Sequence, residues 1–185
     1  MEINELNARI STCTLCDLCK GRKNAVLGEG RVPAALMIIG EAPGKFEDAA
    51  GRPFIGMSGK FLTKYLEMAG IRREDVFITN AVKCRPPNNR KPKMEEIEVC
   101  RPYLVSQLSL VNPKLVLALG VSAASALGMS FSHLSEIRGK VTDGMIGGKS
   151  VKIYVTFHPS FPMRFPKARD TFLDDLKKAK ELVQG

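Results

Sequence analysis

A chain of 185 residues, 44% of them hydrophobic, can bury one substantial core but is short for two, so a single domain over residues 1–185 is expected. The polar start MEINELNARI and the lack of a long apolar run argue against a signal peptide or membrane span and predict a soluble, cytoplasmic protein. A formal charge of +9 predicts a polyanionic partner, nucleic acid or membrane surface, because neutralising phosphates releases condensed counterions.

The first feature in chain order is a Cys-x-x-Cys pair, Cys13 and Cys16, with Cys19 repeating the spacing. Cys84 and Cys100 supply two more sulfurs from distant segments. In a reducing compartment such thiols suit a metal better than disulfides, and four of them fit either zinc or a [4Fe-4S] cluster. Cys19, beside Leu18, reads as a small buried apolar residue.

Apolar runs rich in Val, Ile and Leu at residues 35–39, 76–82, 114–119 and 151–157 predict strands, the last after a glycine-rich turn at 144–149. Helical periodicity covers 58–69, 94–110, 121–127 and 167–183. The alternation predicts an α/β fold, a three-layer αβα sandwich around a short, mainly four-stranded parallel sheet. Ligands of such sheets bind beyond the carboxyl ends of the strands. Chemistry is therefore expected at Gly40-Glu41-Ala42-Pro43-Gly44, at residues 80–84, at Gly120-Val121-Ser122 and at His158-Pro159-Ser160. The loop 83–93, rich in Pro, Asn and Arg, is expected at the surface.

These segments match a known pattern. Gly40-Glu41-Ala42-Pro43-Gly44, Glu47-Asp48 and Gly51-Arg52-Pro53-Phe54, then Thr79-Asn80-Ala81-Val82-Lys83-Cys84-Arg85-Pro86-Pro87, then His158-Pro159-Ser160 with Arg164, resemble the family-four uracil-DNA glycosylases over nearly the whole chain. The resemblance implies excision of uracil from DNA, and a [4Fe-4S] cluster held by Cys13, Cys16, Cys84 and Cys100 that staples the N-terminal segment to the loop carrying Arg85 to Arg90. It favours iron over zinc where spacing does not choose.

Such an enzyme must extrude its target nucleotide and hold the base by stacking and by its hydrogen-bonding edge. The resemblance gives Phe54 the stacking face, whose alternative is a core ring, and Asn80 the bidentate pairing with the uracil imide. Glu47 is expected near the C5 edge, where a thymine methyl would collide. His158 is the expected donor to uracil O2, where negative charge develops, and Glu41 the group that orients water. Asn89 is expected to help Glu41, and Ala42 stands at the substrate where family-one enzymes carry Asp. His133, without a motif, reads as structural or exposed.

Phe161 and Met163 are candidate wedges into the base stack. Arg85, Arg90, Lys91, Lys93, Arg164, Lys167 and Arg169 are candidate phosphate contacts. Ser160, with Ser58, Gly59 and Ser122, is small enough to let the DNA backbone approach. The expected partner is uracil-containing DNA, single or double stranded, with no membrane; a monomer associated with the nucleoid is expected, with a replication clamp or polymerase as a further partner.

Other classes fit less well. A non-catalytic iron–sulfur DNA-binding module has no need of Glu41, Asn80 and His158 together. A relative that captures uracil-DNA covalently carries a Lys-Arg-Arg-Ile-His insertion, which the stretch 85–90 lacks. An oxidoreductase would show a dinucleotide fingerprint after the first strand, and none is present.

Overall fold

The computed structural model describes residues 2–185. Its strands are β1 (Glu29–Gly30), β2 (Leu36–Gly40), β3 (Phe77–Asn80), β4 (Leu115–Leu119), β5 (Val141–Ile146) and β6 (Lys149–Thr156). The helices are α1 (Ile3–Ser11), α2 (Leu18–Gly21), α3 (Lys45–Ala50), α4 (Met57–Met68), α5 (Met94–Val111), α6 (Val121–Ala126), α7 (Leu134–Ile137), α8 (Ser160–Arg164) and α9 (Arg169–Gln184).

One sheet runs in the order β1-β3-β2-β4-β6-β5. Its four inner strands are parallel, as the apolar runs predict, and β1 and β5 add antiparallel edges that they do not. The expected turn at 144–149 is therefore corrected. Gly144 lies within β5, and the hairpin reverses at Gly147 and Gly148, whose φ values of 58° and 80° need glycine. The helix expected from residue 167 starts at Arg169, after a 3-10 turn at Pro166–Ala168.

Strand alternation divides the core between the two faces of the sheet. Met37, Ile39, Val116, Ala118, Ile153 and Val155 pack on one side with Ile97, Leu104 and Leu108 of α5 and Ala123 of α6. Leu36, Ile38, Leu115, Leu117 and Tyr154 pack on the other with Leu62 and Leu66 of α4 and Phe172 and Leu176 of α9. That is the three-layer arrangement the sequence predicts.

After β2 the chain crosses to β3 on one side and then returns to β4 on the other, which opens a crevice at the carboxyl ends of β2 and β4. No helix among the described residues is long and apolar enough to cross a membrane.

Candidate active site

The crevice is a cavity of about 480 Å³. It is lined by Glu41, Ala42, Glu47, Phe54, Asn80, Asn89, His158 and Ser160, with Ser58 and Arg90, all singled out in the sequence and drawn from five segments of chain. The thiols and the side chains of Arg85, Phe161, Met163 and Arg164 lie outside it.

The floor is set by Gly40. It pairs in register with Asn80, and a Cβ there would overlap the Phe54 ring and Asn80 Oδ1. Only glycine lets an aromatic face and an amide meet over β2. Asn80 is 2% exposed, and its Oδ1 is buried without a hydrogen-bond partner. A buried acceptor left unpaired costs about 1–3 kcal/mol, a cost that a ligand N–H can remove.

The Phe54 backbone is in the left-handed region, φ 51°, a strained conformation for an aromatic residue. Its surroundings impose it. Glu47, buried at the start of α3, accepts from the N–H groups of Ile55 (2.9 Å) and Gly56 (2.6 Å). Arg73 donates to the carbonyls of Pro53 (2.7 Å) and Phe54 (3.0 Å), to Thr63 Oγ1 (2.9 Å) and to Glu29 (3.1 Å). Gly59 packs against the Phe54 carbonyl, where a Cβ would collide. Arg73 was not legible as a site residue; an arginine in a charged turn gives no sign of its carbonyl partners. Arg73→Met is expected to weaken substrate binding in this cavity about tenfold, read as KM, with a smaller change in kcat; the carbonyls keep their peptide geometry, but the ring loses its fixed position.

Glu41 follows β2 and accepts a 2.5 Å hydrogen bond from Ser122 Oγ of α6. This corrects the reading of Ser122 as a backbone-approach site, since its side chain is buried and its hydroxyl is engaged by Glu41. Gly59 is likewise buried beneath Phe54. Asn89 lines the same cavity, with φ 54°, and its Oδ1 accepts from Arg85 Nε at 2.7 Å. The loop arginine therefore engages Asn89 directly, and no Asn89–Glu41 hydrogen bond is formed.

His158 stands opposite, its ring centroid 6.1 Å from that of Phe54. Its Nδ1 lies 3.2 Å from the Ser160 backbone N–H and 2.8 Å from Ser160 Oγ. A backbone N–H can only donate, so Nδ1 accepts and the neutral ring carries its proton on Nε2. Burial holds the His158 pKa below the ordinary histidine value, partly opposed by the Glu41 carboxylate. Two histidines make this directly readable by NMR. The His158 ring is expected to take up its second proton below pH 6.5, and Glu41→Gln to move that titration further down, because the opposing carboxylate is gone. His133 is exposed at the start of α7.

Behind the site, Lys83 is 1% exposed and pairs with no carboxylate among the described residues. Its Nζ donates at 2.7 Å each to Thr79 Oγ1, to the Asn80 carbonyl and to Gln107 Oε1 of α5, which saturates an ammonium. Gln107 Nε2 in turn donates to the Leu27 carbonyl. Burial pulls the Lys83 pKa down to about 8, against the raising effect of Cys100 and Cys84.

The next residue is Cys84. Cys13, Cys16, Cys19, Cys84 and Cys100 converge on one pocket with Ile10, Leu15, Leu18, Val82 and Val99, so α1, α5 and the loop after β3 meet there. Burial raises the thiol pKa of Cys16 and Cys100, and that of Cys84 to about 11 despite an Arg22 Nη1 donation at 3.0 Å. Among the described residues no three His, Cys, Asp or Glu side chains stand at the spacing of a single metal ion. Cys19 sits on the same pocket, so the cavity does not by itself separate four ligands from five.

Comparison with known proteins places this geometry. The model of the uracil DNA glycosylase superfamily matches residues 27–180. The chain is 47% identical to a type-4 uracil-DNA glycosylase of Pyrobaculum aerophilum, over 95% of this chain and 92% of that protein. It is 42% identical to one from Archaeoglobus fulgidus (97% and 92%) and 43% identical to one from Thermotoga maritima (100% and 95%).

The chain belongs to the uracil-DNA glycosylase superfamily.

Within that superfamily it stands with the type-4 glycosylases, which agrees with the motif resemblance. A glycosylase cavity has to admit a base and present donors and acceptors to it, and the residues that line this one offer both.

Proposed function

We propose that this protein is a monofunctional uracil-DNA glycosylase, flipping uracil out of DNA and hydrolysing its N-glycosidic bond to leave an abasic site for base-excision repair. The observation that carries the pocket assignment is the unpartnered Asn80 Oδ1 beside the Phe54 ring.

Uracil presents an N3–H donor flanked by the O4 acceptor. The Asn80 amide offers Oδ1 and Nδ2 side by side, so Oδ1 takes N3–H and Nδ2 reaches O4. Cytosine presents an acceptor at N3 and an amine at C4, which opposes both groups of the same amide. Phe54 supplies the stacking face. Glu47, its carboxylate fixed by two backbone N–H groups, stands at the C5 edge and excludes thymine.

Cleavage leaves a cationic sugar and an anion on the base. His158 Nε2–H points its proton to uracil O2, and a neutral imidazole, already aligned by Ser160, does this without reorganising. Glu41, oriented by Ser122, holds the attacking water and stabilises the cationic sugar. Asn89 helps to place that water, while Arg85 and Arg164 contact phosphates. Ser160 lets the backbone come close, and Met163 fills the stack that the base leaves.

Four thiolates from Cys13, Cys16, Cys84 and Cys100 would hold a [4Fe-4S] cluster. The donor set fits: soft ligands in an apolar pocket, with Arg22 and Lys83 nearby to offset their negative charge. When bound, the cluster supplies a structural crosslink and no step of the reaction. The protein is proposed to act as a monomer on DNA in the nucleoid, in contact with a replication clamp or polymerase.

The test is an oligonucleotide bearing one uracil, incubated with purified protein and then treated with alkali. Strand breakage at uracil, and none at thymine or cytosine in the same position, is expected. Tight DNA binding without breakage would instead favour the binding module.

A further inference from the structure

Three phenylalanines stand on the stretch of chain that brings His158 and Ser160 to the cavity. Phe157, just past β6, stacks on Phe161 of α8 with centroids 4.6 Å apart at 23°, and Phe161 meets Phe165 at 4.9 Å and 46°. Phe161 and Phe165 are 42% and 48% exposed, so neither serves the core as a buried ring would. Arg138 lies 5.1 Å from the Phe157 centroid at the inner end, and Arg164 lies 5.7 Å from the Phe165 centroid at the outer end.

The column is braced from behind. Arg138 also pairs with Asp175 of α9 at 2.8 Å, and Arg169 Nε donates to the Pro162 carbonyl at 3.1 Å. Phe161, held between two rings, would have to leave them to enter a duplex stack. The segment 157–169 carries Arg164, Lys167 and Arg169 and no carboxylate, so aromatic rings and cations share one short stretch of chain. Unpaired nucleotides have the complementary chemistry, a π-face on each base and an anion on each link. Ser160, which opens α8, lines the cavity itself.

We propose that the Phe157–Phe161–Phe165 column is a stacking platform for unpaired nucleotides adjacent to the extruded base, which gives this surface a preference for single strands over duplex. The proposal rests on the glycosylase reading for its location only; the stacking and charge would bind a uracil-free strand.

The test uses iron-loaded protein and fluorescently labelled, uracil-free oligonucleotides, single-stranded and duplex, titrated over a salt series. Phe165→Ser is expected to lower the ratio of single-strand to duplex affinity about tenfold, with the salt slope unchanged because no charge is removed. Phe165→Trp is expected to restore the ratio. The chain contains no tryptophan, so that variant also carries a single indole whose emission a stacked base should quench. An equal loss on single strand and duplex, no loss at all, or an indole that the single strand does not quench would overturn the platform. Uracil excision by wild type, run in parallel, separates the two ideas: a normal column response without excision overturns the glycosylase reading and leaves the platform standing.

Discussion

Asn80→Ala is expected to lower kcat/KM for uracil excision by about two to three orders of magnitude, the scale of losing a preorganised polar contact in a closed site. The loss should arise without a loss of fold. In the free protein Asn80 Oδ1 has no partner, so truncation removes an unsatisfied buried acceptor and breaks no bond to that atom. The Lys83 contact to residue 80 uses the backbone carbonyl, which alanine retains. The melting temperature should therefore stay at or slightly above the wild-type value while excision collapses. Asn80→Asp should lose uracil too, since a carboxylate accepts from N3–H but has nothing to donate to O4. Single-turnover kinetics beside a thermal melt separate these effects. Near wild-type excision by Asn80→Ala would remove the amide from base recognition.

The second large effect is expected at the thiols. If the proposed [4Fe-4S] ligand set holds, alanine at Cys13, Cys16, Cys84 or Cys100 should each abolish stoichiometric iron and its visible absorbance, whereas Cys19→Ala should retain both. Buried thiols whose pKa is raised, to about 11 for Cys84, stay protonated unless a metal ionises them. The proposed cluster would join α1 to the loop after β3 at the pocket both line, and its loss would free them from one another. A fall in melting temperature of roughly 10 °C or more is expected, since each kcal/mol moves Tm by about 2–4 °C at this size and a structural centre contributes several. Iron and sulfide analysis with a thermal melt is the measurement. Iron retained after Cys84→Ala, or lost after Cys19→Ala, would redraw the ligand set.

The parallel heart of the sheet was legible because β2 and β4 are buried on both faces and read as unbroken apolar runs, and β3 and the second half of β6 are buried as well. The edges were not. Glu29–Gly30 is two residues long, and most of Val141–Ile146 faces solvent, so neither carries a pattern. Asn80, Glu41 and His158, which the crevice brings together, each sit in a dense local motif at a strand end, and Phe54 sits in one between α3 and α4. Their supports were missed because they are distant in sequence. Ser122 reaches Glu41 across 81 residues, and Arg73 holds the Phe54 loop from 20 residues away. One signal was available for Lys83: a lysine between Val82 and Cys84 at the end of an apolar strand has to find acceptors if it is to be buried.

That buried ammonium has a consequence for how the molecule comes together. Its acceptors belong to the third strand and to a long helix that follows it, and Gln107 also ties in the segment before the first strand through the Leu27 carbonyl. A partly folded chain with any one of these pieces absent would leave a cation or a carbonyl stranded in apolar surroundings. Intermediates are thereby penalised, and the pocket, the thiol loop and the sheet are expected to assemble cooperatively, in one transition.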